Sequence, residues 1–475
     1  MPPRRKIYLL NPKELSPETI SVTFAKTSRS PLSFSEIAEE LSDEKSADFH
    51  EKWVVGYGHS SVAEHAVLHI AAENVSRLAV ECIESNRLAS YTEKSSRYQV
   101  WDRENFFTPD EIAGSDLGKK YEQLVYRLFD NYQAAVDSVR DYLRQNEPRE
   151  KNESDRAYDQ RLRTVSADAC RYYLPACSLA NVGISINARA LEHALRKMLS
   201  HPLMEVRRIG EEIKAAALSS VPTLVKYANE NPYLVDSRDT FINLCGEKLP
   251  SRYEKSDWFQ CVYCDSEGED RVLAALLYRF GEMIFERALE TIVNCEESLK
   301  HEIIGQLLGK LGNHDIPLRE LEFAWLAFDL TIDQGAYFEL KRHRMMTQTP
   351  QRLTANLGFA VPTLIEKAGI AGRFREDMEA VKNLYAEISG FDLHAASYIV
   401  PNAFNRRVLL QTNLRSALHF IKLRTAPNAH FAIRRAALRM AGAIRERFPL
   451  FAAYFRPGTD ENWKELSKTH FSQVS

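Results

Sequence analysis

The sequence predicts an α+β chain made of two tandem units, each a small sheet packed with long helices. Three observations carry that prediction. One order of short polar motifs occurs twice, a strand-like stretch opens it, and long amphipathic stretches close it. A plan repeated at this scale reads as an internal duplication.

In the first half "EHAVLHIAAENVSRLAVECIESNRLASYTEKSSRY" runs from an extended stretch into a short helical stretch and then a polar loop. In the second, "LEFAWLAFDLTIDQGAYFELKRHRMMTQTPQRL" does the same. Within "AWLAFDLTID", Leu326, Phe328, Leu330 and Ile332 alternate with Ala327, Asp329, Thr331 and Asp333, the period of a half-buried strand. Gly335 then marks the change to helix. Two later stretches, "NARALEHALRKMLSHPLMEVRRIGEEIKAAA" from Asn187 and "NLRSALHFIKLRTAPNAHFAIRRAALRMAGAIRERF" from Asn413, have the apolar spacing of amphipathic helices. Arg87 set opposite Arg344 gives an offset of 344 − 87 = 257, and Asn187 opposite Asn413 gives 413 − 187 = 226. The difference falls on a charged insertion in the first half, "RQNEPREKNESDRAYDQRLR". Turn formers in "ANENPYLVDSRDT" and "KLPSRYEKSD" put the boundary near 230–255, so the units are taken as 1–235 and 236–475.

A chain of 475 residues, 44% hydrophobic and 27% charged, can bury sizeable cores in two or more domains. A net charge of −3 gives no general attraction to nucleic acid or to an anionic membrane, so anion recognition has to come from local clusters. The N-terminal "MPPRRKIYLLNPKEL" has no apolar core of signal-peptide length, and no apolar run could span a bilayer, so a soluble cytoplasmic protein is expected. Seven scattered cysteines point to reduced thiols. Cys261 and Cys264 form a lone C-x-x-C without a second ligand pair, which argues against structural zinc. His59, Glu64, His65 and His69 invite a metal reading but lack further carboxylates at fixed spacing, so no metal is predicted.

The chemistry concentrates in "ELKRHRMMTQTPQRL", Glu339 to Leu353, and in "EKSSRY". Arg97 lies two residues beyond Ser95, so in an extended segment a guanidinium and a hydroxyl can converge on one phosphate. Any one such cluster is more often a solvated or salt-bridged face. Clusters of Arg, Asn, His and Ser at matching places in two halves favour a phosphate-rich ligand.

In their order, "GHSSVAEH", "VSR", "RLASYTEKSSRY", "RYYLP" and "NARALEH" in the first half, and "RHR", "VPNAF" and "NLRSALHFIKLR" in the second, resemble the motifs of the flavin-dependent thymidylate synthases, the thymidylate synthase-complementing type. That family's signature is an R-H-R triplet followed by a Ser and an E-x-S-x-R-Y type stretch. The resemblance covers most of both halves and implies an FAD-dependent enzyme that converts dUMP to dTMP, with methylenetetrahydrofolate as carbon donor and NADPH as reductant, needing no cysteine nucleophile. Carried over by motif, Glu93, Ser95, Arg97, Arg171 and Arg342 would bind dUMP, and Arg424 would be the catalytic arginine that polarises the pyrimidine. Flavin contacts would come from Ser61, Arg87, Asn187, Arg189 and His193 in the first half and from His343, Arg344, Asn413, Arg415 and His419 in the second.

Each half departs from the family pattern where the other keeps it. The triplet reads Ser85-Asn86-Arg87 in the first half and Arg342-His343-Arg344 in the second. Glu93, Ser95, Arg97 and Tyr98 are kept in the first half, whereas the second reads "TQTPQRL", interrupted by Pro350. Arg171 is answered by Ser397, and Arg424 by Met198. In the family the nucleotide pocket is shared between subunits, so the resemblance implies one competent pocket in which Glu93, Ser95, Arg97 and Arg171 face Arg342 and Arg424. The reciprocal pocket would be dead, and a homodimer would form a pseudo-tetramer. A non-catalytic or regulatory nucleotide-binding descendant is the alternative; a nucleic-acid-binding protein fits the charge balance least.

Overall fold

Alternation makes the strands, and short oxygen-bearing side chains turn them into helices. The computed structural model describes residues 6, 8–28, 30–56, 60–97, 99–247, 257–312 and 314–474. They belong to two compact units. The first comprises Met1–Lys94, Asn105–Gly114 and Cys177–Tyr253; the second comprises Ser95–Glu104, Ser115–Ala176 and Glu254–Ser475.

In the first unit β1 (Val67–Ser76), β2 (Ala89–Glu93) and β3 (Leu179–Asn187) form an antiparallel sheet of order β1-β3-β2. The stretch expected as a polar loop after the first short helix thus carries edge strand β2. Ser76 ends β1 and its hydroxyl accepts from the Ala79 N–H (3.0 Å), starting the helix Arg77–Ile83. Asn187 ends β3 and accepts from the Ala190 N–H (2.9 Å), starting Ala188–Leu199. Such caps satisfy backbone donors that a helix cannot satisfy itself.

The second unit repeats this plan. It holds β4 (Phe259–Cys264), β5 (Trp325–Asp333), β6 (Thr347–Pro350), β7 (Val361–Pro362), β8 (Asn405–Asn413) and β9 (Phe471–Gln473), arranged as a four-stranded sheet β4-β5-β8-β6 and a separate β7-β9 pair. Asp333 caps Gln334–Leu340 through the Ala336 N–H (2.8 Å), and Asn413 caps Leu414–Arg424 through the Ser416 N–H (2.8 Å). Leu326, Phe328, Leu330 and Ile332 are all buried, as the alternation on β5 predicts.

Register makes the repeat quantitative. Ser90 faces Ser185 in the first sheet, and shifting each by its offset, 257 or 226, gives Thr347 facing Gln411, the pair seen in the second. Glu93 faces Val182; its shifted counterpart Pro350 faces Val408. Pro350 lacks an N–H but sits at the end of an edge strand, where no ladder bond is lost. The two registers part by one residue upstream of a bulge between Ala72 and Val75 in β1, where Asn74 adopts φ 55°, a left-handed conformation that Asn tolerates.

Long helices close each unit. In the second, Asp116–Asn146 buries Tyr121, Leu128, Phe129, Tyr132, Val139 and Leu143 along one stripe. It meets Ala371–Phe391 through Asp377, which takes Arg127 Nε and Asn131 Nδ2 at 2.7 Å each. The 230–255 stretch, read from sequence as turn-rich, carries the helix Pro232–Glu247 instead; residues 248–256 are outside the described set. Among the described residues no helix is long and apolar enough to cross a membrane.

Candidate functional site

Glu339 is the point on which the charges of the second unit converge. It lies on the capped helix Gln334–Leu340, 5% exposed, and the R-H-R triplet leaves the end of that helix. Arg424, in the last turn of Leu414–Arg424, donates from Nη1 to Glu339 Oε2 (2.6 Å) and from Nε to His343 Nε2 (2.9 Å). Burial alone would raise the Glu339 carboxyl, but Arg171, Arg342, Arg424 and Arg97 together outweigh it and hold it below the usual carboxylate range.

Because His343 Nε2 accepts a hydrogen bond, its proton has to sit on Nδ1 and the ring is neutral. Burial, then Arg424, His419 and Arg342, push the imidazole down to about 3. Arg424 is itself pulled below its ordinary value, first by burial.

Arg97 and Arg171 reach the same unit from the N-terminal half of the sequence. The Arg97 guanidinium is forked onto Asp168, with Nε and Nη2 each 2.9 Å from a carboxylate oxygen, and it also meets the Asn428 carbonyl at 3.3 Å. Its backbone N–H donates to Ser95 Oγ (3.2 Å). Arg171 is 3% exposed and donates from Nη2 to the Gly335 carbonyl (3.3 Å). A Cβ at Gly335 would stand 3.4 Å from that Nη2 and 3.0 Å from Asp333 Oδ1, so the absence of a side chain there makes room for the guanidinium. Burial pushes the Asp333 carboxyl up to about 6, against the pull of the Ala336 N–H, Arg171 and Arg435. Arg342 is exposed and Arg344 half-buried.

Of the dUMP set, then, the second unit brings together Arg97, Arg171, Arg342 and Arg424 around Glu339, with Ser95 beside Arg97. Glu93 belongs to the first unit, where it makes a buried ion pair with Arg77 at 3.0 Å. Tyr98 lies outside the described residues, as does His59.

The first unit has a different set at the matching positions. Cys82 stands where Glu339 does; burial pushes its thiol up to about 11. Ser85 and Asn86 replace Arg342 and His343, and Met198, 2% exposed, replaces Arg424. The neighbouring Lys197 fills in, with Nζ 2.5 Å from Ser85 Oγ and 2.8 Å from Asn86 Oδ1. Back in the second unit, Ser397, the counterpart of Arg171, is spent on the Leu353 carbonyl (2.8 Å).

The flavin set divides in the same way. Ser61 lines a first-unit cavity of about 620 Å³ with Phe24, Phe49, Trp53, Glu64 and His65. Arg189 is ion-paired with Glu64, Asn187 caps its helix, Arg87 is exposed, and His193 is exposed. In the second unit Arg415 makes the matching pair with Glu322 (2.6 Å), Asn413 caps its helix, and the His419 ring lies 6.0 Å from that of His343. Burial, then Arg424 and Lys422, push His419 down. His69 Nδ1 is tied to Ser185 Oγ (2.8 Å). Among the described residues no three His, Cys, Asp or Glu side chains form a group that could hold a metal ion.

Sequence reasoning missed Glu339 and Asp168. Each stands three residues before an arginine, Arg342 or Arg171, but its partner in the structure is distant in sequence, Arg424 for Glu339 and Arg97 for Asp168, so spacing gave no signal of it.

The model of the thymidylate synthase complementing protein family matches residues 11–223 and again 265–450. The UPF0159 protein of Chlamydia muridarum is 30% identical over 436 residues, covering 88% of this chain and 82% of that protein. The flavin-dependent thymidylate synthase of Clostridium tetani is 28% identical over 217 residues, so 45% of this chain covers 82% of it. A solved flavin-dependent thymidylate synthase of Helicobacter pylori, complexed with FAD and dUMP, aligns with 45% of this chain and 96% of its own at 18% identity; its TM-score of 0.30 is too low to carry geometry across.

Proposed function

We propose that this chain, which belongs to the thymidylate synthase complementing protein family, is a flavin-dependent thymidylate synthase working at one nucleotide pocket per chain. It would convert dUMP to dTMP with methylenetetrahydrofolate as carbon donor and NADPH as reductant. The observation that carries the reading is the convergence of Arg97, Arg171, Arg342 and Arg424 on Glu339 within one compact unit.

Roles follow from charge and burial. Arg97 and Arg171, held by Asp168 and the Gly335 carbonyl, would supply fixed positive charge for a phosphate dianion, with exposed Arg342 and the Ser95 hydroxyl as further donors. Arg424, anchored at two of its nitrogens, is a fixed positive charge suited to the negative charge that develops on the pyrimidine when N3 loses its proton and C5 becomes nucleophilic. Neutral His343 can hold Arg424 without adding a competing charge. Glu93, paired with Arg77, keeps the end of β2 in place in the first unit, and the loop that carries Ser95 and Arg97 begins there. The active form would be a homodimer, two chains making a pseudo-tetramer.

The first unit offers partial chemistry for FAD. A cavity lined by Phe24, Phe49, Trp53 and Ser61 suits a flat ring, and Arg189, paired with the lining residue Glu64, is a cation beside it for a pyrophosphate. Flavin, when bound, supplies the reduction; the residues named here only bind and orient.

The loss of the first-half triplet to Ser85, Asn86 and Arg87 favours a second reading, a nucleotide-binding descendant without turnover. One experiment separates them. A purified protein with flavin absorbance that rescues a thymidine-requiring strain supports the enzyme. A colourless protein that binds dUMP in calorimetry and fails to rescue supports the second reading, and one that binds no nucleotide overturns both.

A further inference from the structure

Glu339 is an unexpected group in an anion site. A carboxylate within the field of four guanidinia cancels part of the charge that would attract a phosphate, and it takes a donor of Arg424. Yet it is 5% exposed, on a helix whose seven residues are all buried, so it is built in. Its internal counterpart is informative. In the first unit the positions of Glu339, His343 and Arg424 hold Cys82, Asn86 and Met198. Where the arginine is gone, the carboxylate and the imidazole are gone with it.

We propose that Glu339 is a positioning residue that holds Arg424 against His343 and sets the charge of the arginine cluster, keeping phosphate binding weak enough for exchange while fixing one guanidinium. It rests on the reading of the cluster as a nucleotide-phosphate site. Arg424 has one fixed end at Glu339 Oε2 and another at His343 Nε2, so the carboxylate orients the guanidinium plane and, through it, selects the Nδ1–H tautomer of His343. A role limited to packing would make every substitution weaken both binding and order. A charge-setting role gives opposite signs.

The test uses the full chain, inorganic phosphate and dUMP as calorimetric probes, and the ¹⁵N shifts of the histidine rings. Glu339→Gln keeps the shape and removes the charge; it should bind phosphate and dUMP about tenfold more tightly, since one charge fewer acts on the dianion at short range. His343 in that variant should lose its single tautomer. Glu339→Asp keeps the charge and shortens the reach; its phosphate affinity should stay within about twofold of the parent while His343 again loses its tautomer. If Glu339→Gln binds phosphate no more tightly than the parent, or if His343 keeps its tautomer in both variants, the proposal is overturned. Phosphate and dUMP binding absent from parent and variants alike would overturn the nucleotide reading as well; binding present throughout without tightening overturns this proposal alone.

Discussion

Replacing Arg424 with Met puts at this position the residue that its counterpart, Met198, already places in the same helical turn of the first unit. The scaffold accepts that side chain, 2% exposed there, so the change tests charge more than shape. Two bonds are lost, at 2.6 Å to Glu339 and 2.9 Å to His343. Orphaning a buried charge completely costs about 3–5 kcal/mol, but Glu339 keeps Arg171, Arg342 and Arg97 near it, so about 1–3 kcal/mol is expected. Removing a donor that acts on developing charge should lower kcat by about 10²–10³. The phosphate donors Arg97, Arg171 and Arg342 are untouched, so the dUMP dissociation constant should move by less than about tenfold. Thermal unfolding, dUMP calorimetry and dTMP formation under saturating substrates read these three quantities separately. A variant that keeps kcat within about threefold of the parent would refute the role of Arg424, because threefold is under about 1 kcal/mol of barrier.

The remaining predictions follow from the same cluster. His343 has a folded-state value of about 3, below the ordinary 6.5, so between these values the unfolded chain takes up the proton; stability is full above 6.5 and falls on acidification by up to about 1.4 kcal/mol per pH unit. His343→Asn, the residue found at Asn86, should reduce that acid slope by one proton in urea titrations at pH 4–7; an unchanged slope would show that His343 is not held neutral. Gly335→Ala gains about 1 kcal/mol of helix propensity but sets a Cβ 3.0 Å from the capping oxygen of Asp333 and 3.4 Å from Arg171 Nη2. Net stability should therefore change little while phosphate affinity drops severalfold as Arg171 shifts; unaltered binding would count against Arg171 as a phosphate donor. Arg97→Ala leaves Asp168 without its forked partner and should weaken dUMP by about 10–100-fold, the worth of a charged hydrogen bond, with near-parent circular dichroism; intact affinity would exclude Arg97 from the pocket.

What could be read from the sequence was what depends on local period. The alternation of Leu326, Phe328, Leu330 and Ile332 announced β5, and the doubled motif order announced the repeat that the family match at 11–223 and 265–450 bears out. Edge strand β2 has no local signature, because "ASYTE" mixes small and polar residues and gains its ladder only from β3, whose pairing is distant in sequence. The helix Pro232–Glu247 was hidden by the turn formers around it. At the site, arginines announced themselves by number, whereas Glu339 and Asp168 did not. An acid among basic residues reads as an ordinary helix-face pair until the fold shows its partner to be an arginine distant in sequence, Arg424 for Glu339 and Arg97 for Asp168.

The repeat and the compact unit are different partitions of this chain. Motif order cuts it near residue 235, yet residues 95–104 and 115–176 fold into the second unit, bringing Arg97, Asp168 and Arg171 with them. They come as part of a scaffold: Asp116–Asn146 lays a buried stripe in that unit and meets Ala371–Phe391 through Asp377. An exchange of this kind lets one copy lose its triplet and the other its serine-bearing loop without loss of the cluster, because neither copy supplies a complete set to its own unit. It also makes the losses one-directional. Once Met198 replaces the arginine, a carboxylate at the Glu339 position would lose the guanidinium donor that holds it, leaving Lys197 as the cation beside that position. Cys82 and Asn86 are neutral groups that need no such donor, and the cation beside them, Lys197, is satisfied by Ser85 Oγ and Asn86 Oδ1.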